Sequence, residues 1–327
     1  MRKIKIFLLF IIMIIICTGC FSKKMEYTMN LYYMDTYIYV KFYSDNKVLA
    51  EQVKQDIEKI YLEYHQLSDR YQSYDGIMNI YDIYHNKDNS KILTIDDKLY
   101  DLITFANEYQ KITQNLFSIE IGNLVDIWKK YRESGTGIPT KKELLDADIS
   151  NKLVLLDENK IKNNHPNIDL GAVSKGYATE EVGKYLKEQG INEFLINAGG
   201  NVLVGEKPNE DYYQIGVQGP NKDGSLVTIV KGKNISVVTS GSYERNYEFE
   251  GKIYSHIINP MTRYPADYMK SVTVVTENSA LGDVLSTILF LMPVNQGQDF
   301  IKDYSAEAIW VLNDDTIIRS EGFDKYE

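Results

Sequence analysis

A segment at residues 168–178, with the sequence I-D-L-G-A-V-S-K-G-Y-A, carries residue types that bind phosphate groups. An apolar run ends at Asp169, a turn of small residues follows, and Lys175 lies where a helix begins. Backbone N–H groups of such a turn, a helix N-terminus and an ammonium group all attract phosphate. The spacing differs from that of the Walker A loop. Taken alone, the segment is also compatible with a junction in which Asp169 caps the turn and Lys175 is solvated.

A second pair of residues, Asp283 and Thr287, lies in the sequence G-D-V-L-S-T at residues 282–287. Their spacing of four places the carboxylate and the hydroxyl on one face of a helix. Oxygen ligands of this kind suit Mg²⁺ or Ca²⁺, whereas zinc prefers His or Cys. An isolated pair is equally compatible with a helix-terminal acid and a hydroxyl bonded to its own helix. Together with the phosphate-type turn, this pair predicts a site that binds a phosphate ester and acts on it with a metal ion.

Two further features carry open alternatives. The consecutive glycines Gly199 and Gly200 either let the backbone approach a ligand or only form a hairpin turn. His256 is flanked by apolar residues, so it is either a buried core residue or a catalytic group beside the hydroxyl-rich stretch at residues 239–243.

Composition and cysteine usage exclude several classes of function. The chain has 327 residues and a formal net charge of −10, which makes nucleic acid an unlikely partner because binding the phosphate backbone requires a basic surface. Its two cysteines, Cys17 and Cys20, both lie near the N-terminus. The remainder of the chain therefore cannot use thiol catalysis, Cys-ligated zinc or an iron–sulfur cluster.

The N-terminus resembles a bacterial lipoprotein signal. A basic start precedes an apolar run at residues 6–16, which is short for a bilayer of about 30 Å but typical of a signal peptide. We expect residues 1–19 to be the signal peptide, Cys20 to be lipidated, residues 20–24 to be a tether and residues 25–327 to form the functional domain. The expected location is the outer face of the cell membrane, and an uncleaved membrane anchor is the alternative.

The pattern of elements predicts an α+β fold. Apolar residues at spacings of three and four between Leu49 and Leu67 predict a helix, and further helices are expected at residues 97–111, 176–189 and 279–292. Alternating residues 25–43 predict two strands broken near residues 34–36, and stretches between residues 194 and 275 predict further strands. Residues 117–128 are expected to begin as a strand and to turn helical around Gly122, and residues 133–150 to form a surface excursion. Because helices and strands mix without a regular βαβ repeat, we expect T-fold-like, mainly antiparallel sheets packed with helices.

In combination and in order, these motifs resemble those of the ApbE family, the FAD:protein FMN transferases. The resemblance extends from Met34 to about Met292. The family blocks M-G-T, S-T-Y, F-D-x-T-V-G-P-L-V, D-L-[GS]-A-[IV]-A-K-G-Y-A, N-x-G-G-D, T-S-G-x-Y, S-H-I-[IL]-D-P-x-T-G-x-P and A-D-A-L-A-T correspond to residues 34–36, 72–74, 117–125, 169–178, 197–201, 239–243, 255–265 and 282–287.

The resemblance implies that FMN passes from FAD to a Thr hydroxyl of an acceptor flavoprotein, with Mg²⁺ on the pyrophosphate and AMP as the product. The implied acceptor is a subunit of a membrane redox complex or an exported flavoprotein. His256 is the implied base, and the carbonyl of Ala172 would hold the metal with the side chains of Asp283 and Thr287. The implied FAD-binding residues are Met34, Tyr74, Phe117, Ser118, Asp169, Lys175 and Ile257.

The chain departs from the family pattern at several positions, none of which is Asp283 or Thr287, the implied metal-binding side chains. Asp35 and Arg263 stand where the family has Gly, while Ser118, Asn201 and Asn259 replace Asp. Two other functions are compatible with the same residues. One is a Mg²⁺-dependent FAD pyrophosphatase in which water replaces the acceptor, and the other is a non-catalytic, flavin-binding surface lipoprotein.

Overall fold

The computed structural model describes residues 23–86, 92–221 and 223–327. The predicted signal peptide and the predicted lipidation site at Cys20 therefore lie outside the described residues. The strands are β1 (Met25–Tyr33), β2 (Thr36–Ser44), β3 (Ile92–Thr94), β4 (Val154–Leu156), β5 (Lys160–Lys162), β6 (Phe194–Ala198), β7 (Asn201–Val204), β8 (Tyr213–Gln218), β9 (Leu226–Gly232), β10 (Ile235–Gly241), β11 (Asn246–Phe249), β12 (Lys252–Ser255), β13 (Met269–Thr276), β14 (Ala306–Leu312) and β15 (Ile317–Arg319). The α-helices are α1 (Lys47–Ser68), α2 (Ile80–His85), α3 (Asp97–Ile112), α4 (Gly122–Ser134), α5 (Lys141–Asp146), α6 (Ser174–Glu188), α7 (Ser279–Phe290) and α8 (Val294–Ile301).

An eight-stranded sheet forms the centre of the fold. Its strand order is β1-β2-β6-β7-β10-β13-β14-β15, and every ladder in it is antiparallel. Three small sheets, β3-β5-β4, β8-β9 and β11-β12, lie around it. This architecture confirms the predicted α+β class with mainly antiparallel sheets.

Helices α1, α6 and α7 supply much of the apolar surface against this sheet. The buried side of α1 follows the predicted spacing, and the Asn46 side chain caps its start by accepting hydrogen bonds from the N–H groups of Val48 and Leu49. Burial of an apolar stripe stabilises such a helix more than its intrinsic propensity does. The buried residues of α1 are Ala50, Val53, Ile57, Tyr61, Tyr64 and Leu67.

Two tight turns bring separate hairpins together. Met34 and Asp35 join β1 to β2 with positive φ at both positions, and Gly199 and Gly200 join β6 to β7 in the same way. Such two-residue turns match the twist of the strands. A Cβ atom at Gly199 would lie 2.5 Å from a Thr36 methyl carbon. The glycine pair therefore forms a hairpin turn, and its close backbone approach is to the neighbouring hairpin.

The structure corrects two local predictions. The expected strand at the start of residues 117–128 is absent; residues 117–121 are irregular, and α4 begins at Gly122. The expected surface excursion at residues 133–150 contains α5, which starts with a capping box formed by Thr140 and Glu143. Within residues 23–86, 92–221 and 223–327, no helix is both long enough and apolar enough to cross a membrane.

Candidate active site

The N-terminus of α6 meets the first turns of α7 at the side chain of Asp283. Lys175 Nζ lies 3.4 Å from both carboxylate oxygens of Asp283, whose side chain is only 7% exposed. The backbone N–H of Gly176 donates a hydrogen bond of 2.8 Å to Asp283 Oδ2. The helix N-terminus and the ammonium group therefore both contact this carboxylate.

The small-residue turn before α6 belongs to the same cluster. Asp169 Oδ1 accepts a hydrogen bond of 2.8 Å from the N–H of Gly171, so this carboxylate does cap the turn. Lys175 Nζ donates to the Gly171 carbonyl at 3.4 Å. Ala172 follows Gly171 in this turn. The turn therefore carries Asp169, predicted to bind FAD, and Ala172, predicted to bind the metal, beside the Lys175–Asp283 pair.

Close packing between α6 and α7 fixes this arrangement. A Cβ atom at Gly176 would lie 2.4 Å from the Cβ of Asp283 and 2.6 Å from the Ser279 carbonyl oxygen. The buried side chain of Asn201 accepts a hydrogen bond of 2.7 Å from the Ser279 hydroxyl. Thr287 lies one turn beyond Asp283 on α7, as the spacing of four predicted.

On the side of the site predicted to bind flavin, Met34 and Tyr74 are connected through His65. The N–H of Met34 donates to His65 Nδ1 at 3.3 Å, and His65 Nε2 lies 3.4 Å from the Tyr74 hydroxyl. That hydroxyl donates to Asp69 Oδ2 at 2.8 Å. His65 was not predicted, because nothing in the local sequence shows that α1 faces the β1–β2 turn.

Phe117 and Ser118 lie on the segment that pairs with Asp169. The N–H of Asp169 donates to the Ile119 carbonyl at 2.7 Å. The Ser118 hydroxyl lies 3.4 Å from the carboxylate of Glu120, which is buried. Glu120 was not among the predicted site residues. The sequence did contain a signal for it, because Glu120 lies two residues after Ser118, which replaces the family Asp, and alternate residues of an extended segment share a face.

His256 is half-buried, and its Nδ1 atom is inaccessible to solvent and has no hydrogen-bond partner among the described residues. Burial lowers the pKa of His256 to about 3, helped by the positive charges of Arg245, Arg132 and Lys175. The ring is therefore neutral at pH 7. The catalytic role of His256 stays a prediction at this point, beside its interpretation as a buried core residue.

Arg245 connects the base region to the β1–β2 turn. Its Nη2 donates to the Asp35 carbonyl at 2.8 Å and lies 3.1 Å from the Asp35 carboxylate. Asp35, which replaces the family glycine, thus forms an exposed ion pair with Arg245. Ile257, next to His256, is buried and its carbonyl accepts from the N–H of Ala266.

The oxygen atoms near Asp283 fit a hard divalent cation. A carboxylate, the Thr287 hydroxyl and a turn carbonyl are the donors that Mg²⁺ accepts. Among the residues that the structure describes, no group of three or more His, Cys, Asp or Glu could hold a metal ion. A cation here would therefore complete its coordination with phosphate oxygens and water, as Mg²⁺ commonly does.

Comparison with known proteins identifies the family. The profile of the ApbE family matches residues 34–310. An FAD:protein FMN transferase of Klebsiella pneumoniae (strain 342) is 32% identical over 314 residues, covering 91% of this chain and 93% of the relative. Another, from Buchnera aphidicola subsp. Baizongia pistaciae (strain Bp), is 30% identical over 310 residues, covering 90% of this chain and 89% of the relative.

Solved structures share the fold. The crystal structure of the ApbE protein from Thermotoga maritima matches with a TM-score of 0.82 at 24% identity, covering 93% of this chain and 99% of that one. The flavin transferase ApbE from Vibrio cholerae matches with a TM-score of 0.75 at 19% identity, covering 93% and 100%. The predicted resemblance is thus confirmed in both sequence and fold, and the chain belongs to the ApbE family.

Proposed function

We propose that the protein transfers FMN from FAD to a threonine hydroxyl of an acceptor flavoprotein and releases AMP, with Mg²⁺ bound at the pyrophosphate. The names of its relatives support flavin transfer. The observation that carries the assignment is the meeting of the phosphate-type turn, Lys175 and Asp283. These groups come from two helices that are distant in sequence, and a structural turn alone would not require them to meet.

The reaction is a substitution at phosphorus. The acceptor hydroxyl oxygen forms a bond to the phosphorus of the FMN half, while the anhydride bond breaks and its electron pair leaves with AMP. The threonine proton goes to the imidazole of His256, which is neutral at pH 7. Lys175 supplies positive charge to the diphosphate in a protein of net charge −10.

Asp283, Thr287 and the Ala172 carbonyl would hold the Mg²⁺ ion. When bound, the ion supplies Lewis-acid neutralisation of the phosphate charge. The protein's own residues bind and orient the dinucleotide: Asp169 fixes the turn through Gly171, and the ammonium group of Lys175 faces the same carboxylate as the metal.

The basicity of His256 depends on the substrate. Burial lowers its pKa to about 3, together with three cationic side chains. An anionic diphosphate placed among those charges would offset their part of the effect and raise the pKa, while the effect of burial would stay. Substrate binding would therefore make the neutral imidazole a better proton acceptor.

Incubation of an acceptor domain with FAD, MgCl₂ and this protein tests the proposal. Mass spectrometry should show an FMN adduct on a threonine of the acceptor, together with one AMP per adduct. Free FMN and AMP with an unlabelled acceptor would instead establish a pyrophosphatase. Tight FAD binding with no AMP release at saturating Mg²⁺ would establish a flavin-binding lipoprotein.

We also propose that the protein is exported and anchored by lipid at Cys20 to the outer face of the cell membrane. The basic start, the apolar run and the cysteine in residues 1–20 support this location. A Cys20→Ala variant should lose the lipid mass and leave the membrane fraction. Retention of that variant in the membrane would favour an uncleaved anchor.

A further inference from the structure

Arg70, in the loop after α1, is a charged residue with a side chain only 7% exposed. Its Nη1 and Nη2 atoms donate to the two carboxylate oxygens of Asp126 on α4, at 2.8 and 2.9 Å. Burial alone lowers the pKa of Arg70, but the hydrogen bond to Asp126 and the charges of Asp169 and Asp126 raise it above its ordinary value. The guanidinium group is therefore a permanent charge within the fold.

The same guanidinium group contacts three consecutive residues of the segment that leads into the phosphate-type turn. Nη2 donates to Asn167 Oδ1 at 2.7 Å, and Nε donates to the Ile168 carbonyl at 3.2 Å. Nη1 lies 3.8 Å from Asp169 Oδ2. Nη1 also donates to the hydroxyl of the neighbouring Tyr71 at 3.2 Å, so the donors of the planar group reach α4, Tyr71 and this segment.

These contacts leave Asp169 with a defined orientation. Its Oδ1 accepts from the N–H of Gly171, while its Oδ2 faces the positive charge of Arg70. The turn that Asp169 caps carries the Gly171 carbonyl, which Lys175 contacts, and continues into α6. The position of the phosphate-type turn therefore depends on a residue about 100 positions earlier in the chain, as the separation of 98 between Arg70 and Ile168 shows.

We propose that Arg70 is a positioning residue for FAD binding, which acts through Asp169 on the turn at residues 171–173. The inference rests on the proposed function, because it concerns the dinucleotide site assigned above. Arg70 itself touches neither the flavin nor the metal ligands in this scheme. It holds the Asp169 carboxylate in the rotamer that shapes the turn.

The geometry of the cluster makes arginine specific at this position. A Cβ atom at Gly122 would lie 2.6 Å from Arg70 Nη2 and 2.3 Å from Asn167 Oδ1, so the guanidinium group is packed tightly. A lysine ammonium retains the charge but cannot bind Asp126 in bidentate fashion while donating to the Ile168 carbonyl. Arg70→Lys therefore keeps the positive charge but removes the simultaneous hydrogen bonds of the planar group to Asp126 and to the Ile168 carbonyl.

Isothermal titration of FAD into the wild-type protein and the Arg70→Lys variant, with MgCl₂ present, tests this role. The Kd for FAD should rise about tenfold, equivalent to about 1.4 kcal/mol. Asp126→Asn leaves Arg70 in place but removes one of its charged partners. This variant should raise the Kd for FAD by about threefold, less than Arg70→Lys does. The control is Arg319→Lys on the edge strand β15, where Arg319 pairs with Glu327, and it should leave the Kd unchanged.

A merely stabilising role for Arg70 would have a different signature. Loss of stability lowers the melting temperature and the number of binding sites per chain, but the folded molecules keep their affinity. If Arg70→Lys binds FAD within about twofold of the wild-type Kd, the inference is wrong. If the wild-type protein itself binds no FAD, the proposed function fails instead, so the two failures are distinguishable.

Discussion

Lys175 Nζ is equidistant from the two carboxylate oxygens of Asp283, at 3.4 Å, and the N–H of Gly176 lies 2.8 Å from one of them. Consecutive residues at one helix start thus bind a single acid on another helix. A divalent cation at Asp283 would share this carboxylate with the ammonium group. The metal, the ammonium group and the substrate phosphates would then form one charge-balanced cluster.

Asp283→Asn should abolish turnover while keeping the shape of the side chain. Removal of the charge weakens both cation binding and the pairing with Lys175, and kcat should fall at least about a hundredfold. Titration with Mn²⁺ in the absence of FAD should show the loss of binding directly. Asp299→Asn, at an exposed ion pair with Lys302, is the control and should behave as the wild type. Near-normal activity of Asp283→Asn would refute the assigned metal site.

Gly176→Ala should force α6 and α7 apart. The added methyl group meets the Asp283 Cβ at 2.4 Å and a backbone carbonyl oxygen at 2.6 Å, which cannot move alone. We expect a loss of about 2 kcal/mol in the free energy of unfolding, measured with urea, and weaker Mn²⁺ binding. In Gly297→Ala on α8 the methyl group meets a flexible Leu289 methyl at 3.2 Å, so this control should change the stability by less. Equal effects of the two substitutions would contradict the assigned packing.

His256→Gln should reduce flavin transfer far more than FAD binding. The imidazole is assigned to the acceptor proton, whereas the dinucleotide is held by the turn, Lys175 and the metal ligands. Transfer, measured as adduct formation under single-turnover conditions, should fall about a hundredfold or more, with the Kd for FAD nearly unchanged. An equal loss of transfer and binding would indicate a structural histidine.

His256 should also make the protein less stable in acid. Its pKa is about 3 in the folded protein and about 6.5 in the unfolded chain, so below pH 6.5 the unfolded state binds more protons. Folding stability at this residue is therefore lost as the pH falls from 6.5. Between pH 7 and pH 5, the wild type should lose about 2 kcal/mol more than His256→Gln in urea unfolding. Parallel pH profiles would show that the pKa of His256 is not lowered.

Arg263→Gly should destabilise the protein although it restores the family residue. Arg263 has φ of 66°, which glycine tolerates better, but its Nη1 donates to the carbonyls of Leu144 and Ala147 at the end of α5. Loss of these charged hydrogen bonds should outweigh the relief of backbone strain, leaving a net cost of about 1 kcal/mol in urea unfolding. The Kd for FAD should not change, since these bonds lie at α5. A more stable Arg263→Gly protein would show that strain dominates.

Prediction from sequence succeeded where local patterns decide the structure. The apolar spacing of α1, the turn at Met34 and Asp35 and the helix after Lys175 all appear as expected. It was wrong at residues 117–121, where an apolar stretch resembles a strand. There the chain makes isolated hydrogen bonds instead of a ladder, from the N–H of Ile119 to the Gln110 side chain and from the N–H of Asp169 to the Ile119 carbonyl.

Residues that act through distant partners were not found from sequence. His65 and Arg70 each support a predicted site residue, but their partners lie on other elements. A side chain's partner across the fold depends on helix packing and sheet order, which no local spacing encodes.

From the order of its motifs alone, the sequence established the family, the α+β class and the chemical types at the site. Residue types and short spacings are local properties that survive any arrangement of the chain. The tertiary structure shows that Asp169 caps its turn and that the glycine pair forms a hairpin, whereas the catalytic role of His256 stays a prediction. It alone brings Asp283 to Gly176 across 107 residues, because that contact exists only when both helices pack on the same sheet.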